Sequence, residues 1–203
     1  TGVENLLLAG NAITDLTPIA SLTAVQFLDL RENEITDLDG LQGQNNLLGL
    51  SLTRNMISDL EPLSGLTGLE ILGLDFNDIS DVGPLSELTA LTRLVLYENP
   101  IVDIAPLAGL TGLALLDLGE NRIVDLTALD GLENLTVLGL EANRITDIGP
   151  LGGLNFLTTL VLDGNLGLSD VQPLLDNLGI GRDDTVHLLE TSVSCDDVAL
   201  LRD

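Results

Sequence analysis

The sequence contains few of the side chains that most often carry out catalysis. There is one histidine, His187, and one cysteine, Cys195, and there is no tryptophan. Together these two side chains would make a base and a nucleophile. However, His187 falls on a predicted outward strand position, and Cys195 falls at a predicted cap, where small buried thiols are common. No orienting acid and no oxyanion donor can be named beside them. The sequence therefore predicts a chain that is not an enzyme.

Oxygen-bearing side chains at Asp75 and Asn77 raise the question of a calcium site. An EF-hand loop that began at Asp75 would need a ligand at position 79 and glycine at position 80. Ile79 and Ser80 stand there instead. The segment 179–181, Gly-Ile-Gly, is too short to cradle a phosphate. We expect neither a metal ion nor another cofactor.

The charge balance excludes several classes of partner. The chain has 203 residues, 32 acidic and 7 basic, all of the basic ones arginine, and a net charge of −25. Such a surface repels phosphate backbones, so nucleic-acid binding is not expected. No apolar run reaches the roughly 18 residues that a membrane span needs, so no membrane insertion is expected. The hydrophobic content of 45% is sufficient for a folded core.

An internal repeat determines how these side chains are positioned. An asparagine recurs every 22 residues, with leucine five and three residues before it and, in seven units, isoleucine two residues after it. The asparagines are Asn11, Asn33, Asn55, Asn77, Asn99, Asn121, Asn143 and Asn165. The two leucines alternate with other residues, which predicts a short strand with the leucines inward. Prolines after the asparagine favour a tight helical turn, and the stacked units share one core.

The repeated N-x-I-x-D-L-x-P-L segment resembles the leucine-rich repeat, in the 22-residue class of bacterial internalin-like surface proteins. The resemblance covers residues 3 to about 176. It implies an α/β solenoid, a right-handed superhelix with short parallel strands on the concave face and 3-10 or short helical turns on the convex face. Gly40 and Ala128 depart from the pattern by replacing the proline, and Gln44 replaces an inward leucine.

The predicted organisation is one solenoid without an internal boundary. Residues 1–183 hold eight units that start near positions 3, 25, 47, 69, 91, 113, 135 and 157. Residues 184–203 are predicted to form a degenerate ninth strand and a C-terminal capping helix, because terminal repeats must present one face to water. Val3 already occupies a leucine position, so we expect further chain upstream.

Two polar columns are interpreted as structural. Each asparagine of the repeat is expected to bond the backbone of its own turn and of the neighbouring unit. An aspartate column is expected to cap the helical turns by accepting backbone N–H groups. These aspartates are Asp15, Asp37, Asp59, Asp81, Asp103, Asp125, Asp147 and Asp170. A ladder of cation sites is the functional alternative for the aspartates.

The residues between the inward leucines remain free to specify function. A predicted partner-binding patch on the concave face combines aromatic and charged side chains from repeats two to five. Its members are Phe27, Arg31, Arg54, Asp75, Phe76, Arg93 and Tyr97. Aromatic residues and arginine are typical of interface hot spots. The later repeats present Gly119, Gly139, Ala142 and Gly164, and are predicted to contribute less.

The resemblance implies a non-catalytic protein-recognition module of a bacterial secreted or cell-surface protein. Its ligand would be a protein on a host or neighbouring cell, and we expect a monomer. Two alternatives stay open: a spacer solenoid that displays another domain and binds nothing, and an intracellular scaffold like the phosphatase-regulator repeat proteins, which share the 22-residue unit.

Overall fold

Nine three-residue strands follow one another along the described chain. The structure is a computed structural model, and it describes residues 2–181 and 183–200. The strands are β1 (Asn5–Leu7), β2 (Phe27–Asp29), β3 (Gly49–Ser51), β4 (Ile71–Gly73), β5 (Arg93–Val95), β6 (Leu115–Asp117), β7 (Val137–Gly139), β8 (Thr159–Val161) and β9 (Thr185–His187). They form one parallel sheet in chain order, each strand bonded to the next.

The strand register follows directly from the repeat length. Leu28 pairs with Leu50, and Leu50 pairs with Leu72, so that equivalent residues of neighbouring units lie side by side. The last pairing, of Leu160 with Val186, accommodates the longer connection between β8 and β9. Equal spacing therefore turns each position of the sequence repeat into a straight column across the sheet.

The leucine columns form a single core that runs through the stacked units. Leu72 and Leu94, from two neighbouring strands, are both completely buried. Truncating such a leucine to alanine costs about 2–5 kcal/mol, since it removes apolar contacts and leaves a cavity. No unit could bury these side chains alone, because each packs against the units before and after it.

Short helical turns return the chain to the next strand. Seven are 3-10 helices: Thr17–Ile19, Asp39–Leu41, Glu61–Leu63, Gly83–Leu85, Ala105–Gly109, Thr127–Leu129 and Gly149–Leu151. The eighth is the α-helix α1 (Gln172–Leu175). Proline stands in the first turn of most of them and sets φ before the helix forms. The stacked strands and 3-10 turns confirm the predicted solenoid.

Departures from the repeat have local reasons. A Cβ at Gly40 would lie 2.4 Å from the backbone oxygen of Leu16, so the close approach of two turns leaves room only for glycine. Gln44 is buried, and its Nε2 donates to the carbonyl oxygens of Ile19 and Ala20 at 2.9 and 3.2 Å. An amide thus replaces the leucine there by satisfying backbone groups of the preceding turn.

The last described residues comprise β9 and helix α2 (Cys195–Leu200). Thr191 stands in the asparagine position of this unit, and its Oγ1 donates to the Leu188 carbonyl at 2.9 Å. Part of the predicted terminal segment, residues 201–203, lies outside the described residues. The division at residue 183 stays a prediction.

Candidate functional site

The outward residues of β1–β9 and of the three positions that follow each strand form what we call the strand face. Because side chains alternate along a strand, Phe27, Asp29 and Arg31 point outward while Leu28 and Leu30 are buried. The same alternation repeats on every strand. The strand face is therefore a grid on which the sequence can vary without disturbing the core.

An apolar hollow of about 390 Å³ lies on the strand face of the first five repeats. Its floor contains Gly49 and Gly73, and its walls include Phe27, Ile71 and Arg93. A Cβ at Gly49 would lie 2.6 Å from the Phe27 ring, so the missing side chain is what allows the ring to lie over β3. Phe27 and Ile71 remain 42% and 37% exposed, which is unusual for large apolar side chains at the middle of a sheet.

Charged side chains border this apolar hollow. Arg31 donates through Nε and Nη2 to both carboxylate oxygens of Asp29, at 2.9 and 2.8 Å. The paired guanidinium lowers the pKa of Asp29, and the carboxylate raises the pKa of Arg31. Asp75 accepts a hydrogen bond from the Thr53 hydroxyl at 2.7 Å. Arg31 is thus held by its own strand, whereas Arg93 makes no ion pair within the described residues.

A second group of side chains runs along the edge of the strand face, and we call it the rim ladder. The Arg54 guanidinium carbon lies 3.9 Å from the centroid of the Phe76 ring, and the Phe76 and Tyr97 rings are 5.5 Å apart. The Tyr97 hydroxyl donates to Glu120 Oε1 at 2.5 Å. This hydrogen bond, followed by burial and nearby carboxylates, raises the pKa of Tyr97 well above its usual range.

The backbone positions the rim ladder in an uncommon conformation. Arg54, Phe76 and Glu120 all have positive φ, between 50° and 56°. They belong to the column that immediately precedes the repeat asparagine, where Gly10 and Gly164 also have positive φ. A side chain in the left-handed region costs roughly 1–2 kcal/mol relative to an ordinary backbone. Arg54 and Phe76 of the rim ladder, and Glu120 that Tyr97 contacts, therefore lie at the strained turns of their units.

The structure brings the predicted patch together as two adjoining groups. Four of its residues line the apolar hollow: Phe27, Arg31, Asp75 and Arg93. The other three form the rim ladder: Arg54, Phe76 and Tyr97. Sequence reasoning missed Ile71 and Glu120, which belong to these groups. The repeat alignment held the signal for Ile71, since it is an apolar residue in an outward column.

The later repeats carry a feature that the sequence did not reveal, which we call the acidic strip: Asp117, Glu141 and Asp163. A Cβ at Gly139 would meet Asp117 Oδ1 at 2.6 Å and Glu141 Oε2 at 3.3 Å, so both carboxylates occupy the space above this glycine. Burial raises the pKa of Asp117 and of Glu141. Gly139, which the sequence analysis expected to contribute little, therefore leaves the space in which these carboxylates lie against the sheet.

Glu141 is the least satisfied member of the acidic strip. Its Oε2 is buried and has no hydrogen-bond partner among the described residues. Its other side lies against repeat six, since a Cβ at Gly119 would meet Glu141 Oε1 at 2.7 Å and the Tyr97 ring at 2.8 Å. Asp163 is better satisfied, because it accepts the Leu189 N–H at 2.6 Å and lies 3.7 Å from His187 Nδ1.

The asparagine column bonds the backbone of two units at once. Asn99 Nδ2 donates to the carbonyl oxygens of Leu74 and Leu96, both at 3.1 Å, and its Oδ1 accepts the Ile79 N–H at 2.9 Å. Asn33, Asn55, Asn77, Asn121, Asn143 and Asn165 make equivalent bonds. Asn11 is exposed, and its donors reach only Leu8 and Ala9.

Each aspartate of the second column accepts one backbone hydrogen bond. Asp103 Oδ1 accepts the Ala105 N–H at 2.8 Å, and the other seven accept the N–H two residues ahead in the same way. The aspartate lies one residue before the N-cap position, which leucine, isoleucine or valine occupies. The geometry is therefore an Asx-type turn that leads into the helix.

The two residues first considered for catalysis lie on separate elements. His187 is exposed on β9, and Cys195 begins α2. Cys195 is exposed, so the expectation of a buried thiol was wrong; the short helix leaves its first residue in solvent.

In the described part of the chain, no three His, Cys, Asp or Glu side chains are arranged to hold a metal ion. None of the helices within residues 2–181 and 183–200 is long and apolar enough to cross a bilayer.

Known proteins share both the sequence pattern and the fold. The family profile "Leucine rich repeat" matches residues 89–145, and "Leucine Rich repeats (2 copies)" matches residues 1–43 and 133–176. No protein with a curated function matches the sequence significantly. The plant membrane receptor kinase GASSHO1/SCHENGEN3 of Arabidopsis thaliana, solved as an ectodomain with CASPARIAN STRIP INTEGRITY FACTOR 2, shares the fold at 23% identity and a TM-score of 0.79, over 99% of this chain and 26% of that one.

Two solved internalins from Listeria monocytogenes are more similar in sequence. Internalin C2 is 34% identical, with a TM-score of 0.81, over 91% of this chain and 79% of that one. Internalin InlF is 30% identical, with a TM-score of 0.79, over 98% of this chain and 71% of that one. By identity over most of both chains and by the matched repeats, this chain belongs to the internalin-like leucine-rich repeat proteins.

Proposed function

We propose that this chain is a non-catalytic recognition module of a bacterial secreted or cell-surface protein, and that it binds a protein partner through the strand face. The leucine-rich repeat domains of internalins and of receptor ectodomains are protein-binding modules, and the internalin-like family is generally a non-catalytic interaction scaffold. The partner would be a protein on the surface of a host or neighbouring cell, and the chain would act as a monomer.

One observation carries this proposal: the apolar hollow and the rim ladder adjoin on the strand face. Asp75, in the wall of the apolar hollow, is followed directly by Phe76 of the rim ladder. Large apolar and aromatic groups beside arginines match the composition of interface hot spots, where a few side chains supply most of the binding energy. A solenoid that served only as a spacer would have no need to expose Phe27 and Ile71 on the sheet.

A capture experiment tests this proposal. The immobilised domain would be exposed to surface extract of candidate host cells, beside a variant with Arg54→Ala, Phe76→Ala, Arg93→Ala and Tyr97→Ala. A charge-matched control carries Arg144→Glu, Val102→Ala and Val124→Ala, at exposed residues off the strand face. We expect a protein that the wild type and the control retain and that the strand-face variant loses.

The remaining outcomes are also decisive, once circular dichroism has shown that both variants fold. Equal retention by all three proteins would place the contact outside the strand face of repeats three to five. Retention by none would contradict recognition of a cell-surface protein and favour the spacer.

A further inference from the structure

The two halves of the strand face differ in chemistry. The first five repeats carry the apolar hollow, and repeats six to eight carry the acidic strip of Asp117, Glu141 and Asp163. Both lie on the same side of one continuous sheet. Resting on the proposed function above, we infer that the partner presents an extended segment with an apolar side chain for the hollow and an arginine or lysine for the acidic strip.

The apolar end of this segment follows from the shape of the hollow. Ser51 and Gly73 carry small or no side chains in the floor of the hollow, while the Phe27 ring lies over Gly49 and Ile71 lines the hollow on β4. A volume of about 390 Å³ accommodates one or two aliphatic or aromatic side chains. The apolar walls favour such a side chain over a charged one, because burying an unpaired charge is costly.

The basic residue expected in the partner follows from the charge and the hydrogen bonding of the acidic strip. Asp117 and Glu141 both lie over Gly139, and Glu141 Oε2 lacks a hydrogen-bond donor in the described part of the chain. Glu141 Oε2 itself is shielded from solvent, but Asp117, Glu141 and Asp163 are each only partly buried, so an approaching guanidinium or ammonium would meet carboxylates of opposite charge and supply hydrogen-bond donors to them. No lysine exists in this sequence, and the arginines nearest in the repeat order, Arg93 and Arg122, make no bond to these carboxylates.

The distance between the two ends sets the spacing in the partner. The hollow centres on β3 and β4, and the paired carboxylates lie over β6 and β7. Three strand spacings amount to about 14 Å. An extended chain advances roughly 3.3–3.4 Å per residue and returns to the same face every second residue, so the basic residue lies four positions from the apolar one. The expected motif is an apolar residue, three residues of any kind, and arginine or lysine, in either chain direction.

Selection from a library of random octapeptides displayed on phage tests this inference. The bait is the folded domain, and it is compared with the Asp117→Asn, Glu141→Gln variant. The matched control is Asp130→Asn, Glu133→Gln, which makes the same change of charge at exposed residues that follow a 3-10 helix. We expect peptides enriched by the wild type and the control to carry the apolar and basic pair four positions apart.

The acidic-strip variant should lose the preference for the basic residue while it keeps the preference for the apolar one. Synthetic peptides with the selected motif should bind this variant about tenfold more weakly than the wild type, as expected for the loss of one charge-assisted contact. Enrichment without a basic residue, enrichment that the variant retains unchanged, or no enrichment would each overturn the inference.

Failure of this inference is distinguishable from failure of the proposed function. If the captured surface protein is lost by the strand-face variant of repeats three to five but retained by Asp117→Asn, Glu141→Gln, the recognition function holds and the basic segment is refuted. If neither variant alters capture, both fail.

Discussion

The Arg54 guanidinium lies over the Phe76 ring at 3.9 Å, although the two residues belong to consecutive repeats. They meet because both occupy the left-handed column before the repeat asparagine, and the parallel register places that column in line across the sheet. Tyr97 extends the contact to the next repeat. Three units are thus coupled through side chains on the strand face as well as through the core.

We predict a measurable coupling between Arg54 and Phe76. A double-mutant cycle with Arg54→Ala and Phe76→Ala, followed by urea unfolding, should give a coupling free energy of about 0.5–1 kcal/mol, as is typical of exposed cation–π pairs. A cycle of Arg144→Ala with Phe76→Ala is the control and should be additive, because Arg144 lies three repeats away. Additivity in the Arg54 cycle would contradict the contact.

The fold was predictable because several independent features of the repeat indicate the same strand and turn. Leucines, asparagines and prolines recur at fixed spacing, and each spacing independently requires the same strand, turn and return. The turns before the helices were less predictable in detail. The aspartate proved to lie before the N-cap position, because it bonds the first helical N–H rather than capping from within the turn.

The candidate site was predictable only in part, because side-chain conformation is not periodic. Outward columns could be assigned from the sequence, and they placed Phe27 and Arg93 on the strand face. The direction in which each side chain lies across its neighbours depends on the size of those neighbours. Because Gly49 and Gly139 have no Cβ, the Phe27 ring and two carboxylates have room to lie against the sheet, so these glycines determine the shape of the strand face.

Removing one asparagine of the column should be severely destabilising. In Asn99→Ala, the Ile79 N–H and the Leu74 and Leu96 carbonyls lose a buried partner. Each unsatisfied group costs about 1–3 kcal/mol, so we expect a loss of about 3 kcal/mol or more in the free energy of unfolding. Asn11→Ala is the matched control, because Asn11 is exposed, and it should cost less than about 1 kcal/mol. Equal effects in urea titrations would refute the structural role of the column.

Glycine should stabilise the left-handed column. Glu98 has φ of 52° and is exposed, so Glu98→Gly relieves backbone strain without removing a packed side chain. We expect the free energy of unfolding to rise by up to about 1 kcal/mol. Glu34→Gly, at an exposed glutamate outside the positive-φ column, should instead lower it by about 0.5–1 kcal/mol. Thermal unfolding of both variants would check this contrast, and a destabilised Glu98→Gly would contradict it.

The acidic strip should make stability depend on pH in an unusual direction. The pKa of Asp117 and of Glu141 is raised by burial, and nearby Asp75, Asp163 and Glu120 raise it further. The folded chain therefore binds these protons at higher pH than the unfolded chain, so this contribution to stability grows as pH falls through the raised pKa values. Asp117→Asn, Glu141→Gln should be more stable than the wild type at neutral pH, by an amount that shrinks on acidification.

Urea titrations between neutral pH and the ordinary range of carboxyl pKa values measure this difference. Asp15 and Asp125 change stability with pH in the opposite direction to Asp117 and Glu141. Hydrogen bonds from Thr17 and Thr127 lower the pKa of these two aspartates. Their contribution is present above the unfolded pKa and is lost as pH falls through the folded pKa, in both proteins alike. A stability difference between wild type and variant that is constant with pH would show that the two carboxyl groups titrate normally.

Salt should stabilise the whole solenoid. Aspartates in one column repeat at the strand spacing, and two unit charges about 5 Å apart repel by about 0.8 kcal/mol even at the dielectric constant of water. The net charge of −25 leaves this repulsion largely uncompensated. The Debye length falls from about 10 Å at 0.1 M to about 3 Å at 1 M salt, so the Tm should rise most steeply at the lower NaCl concentrations and then level off. Sucrose, which stabilises proteins without screening charge, should raise the Tm without that early steep phase. A Tm that is flat between low and molar NaCl would mean that the carboxylate columns are already neutralised in the folded protein.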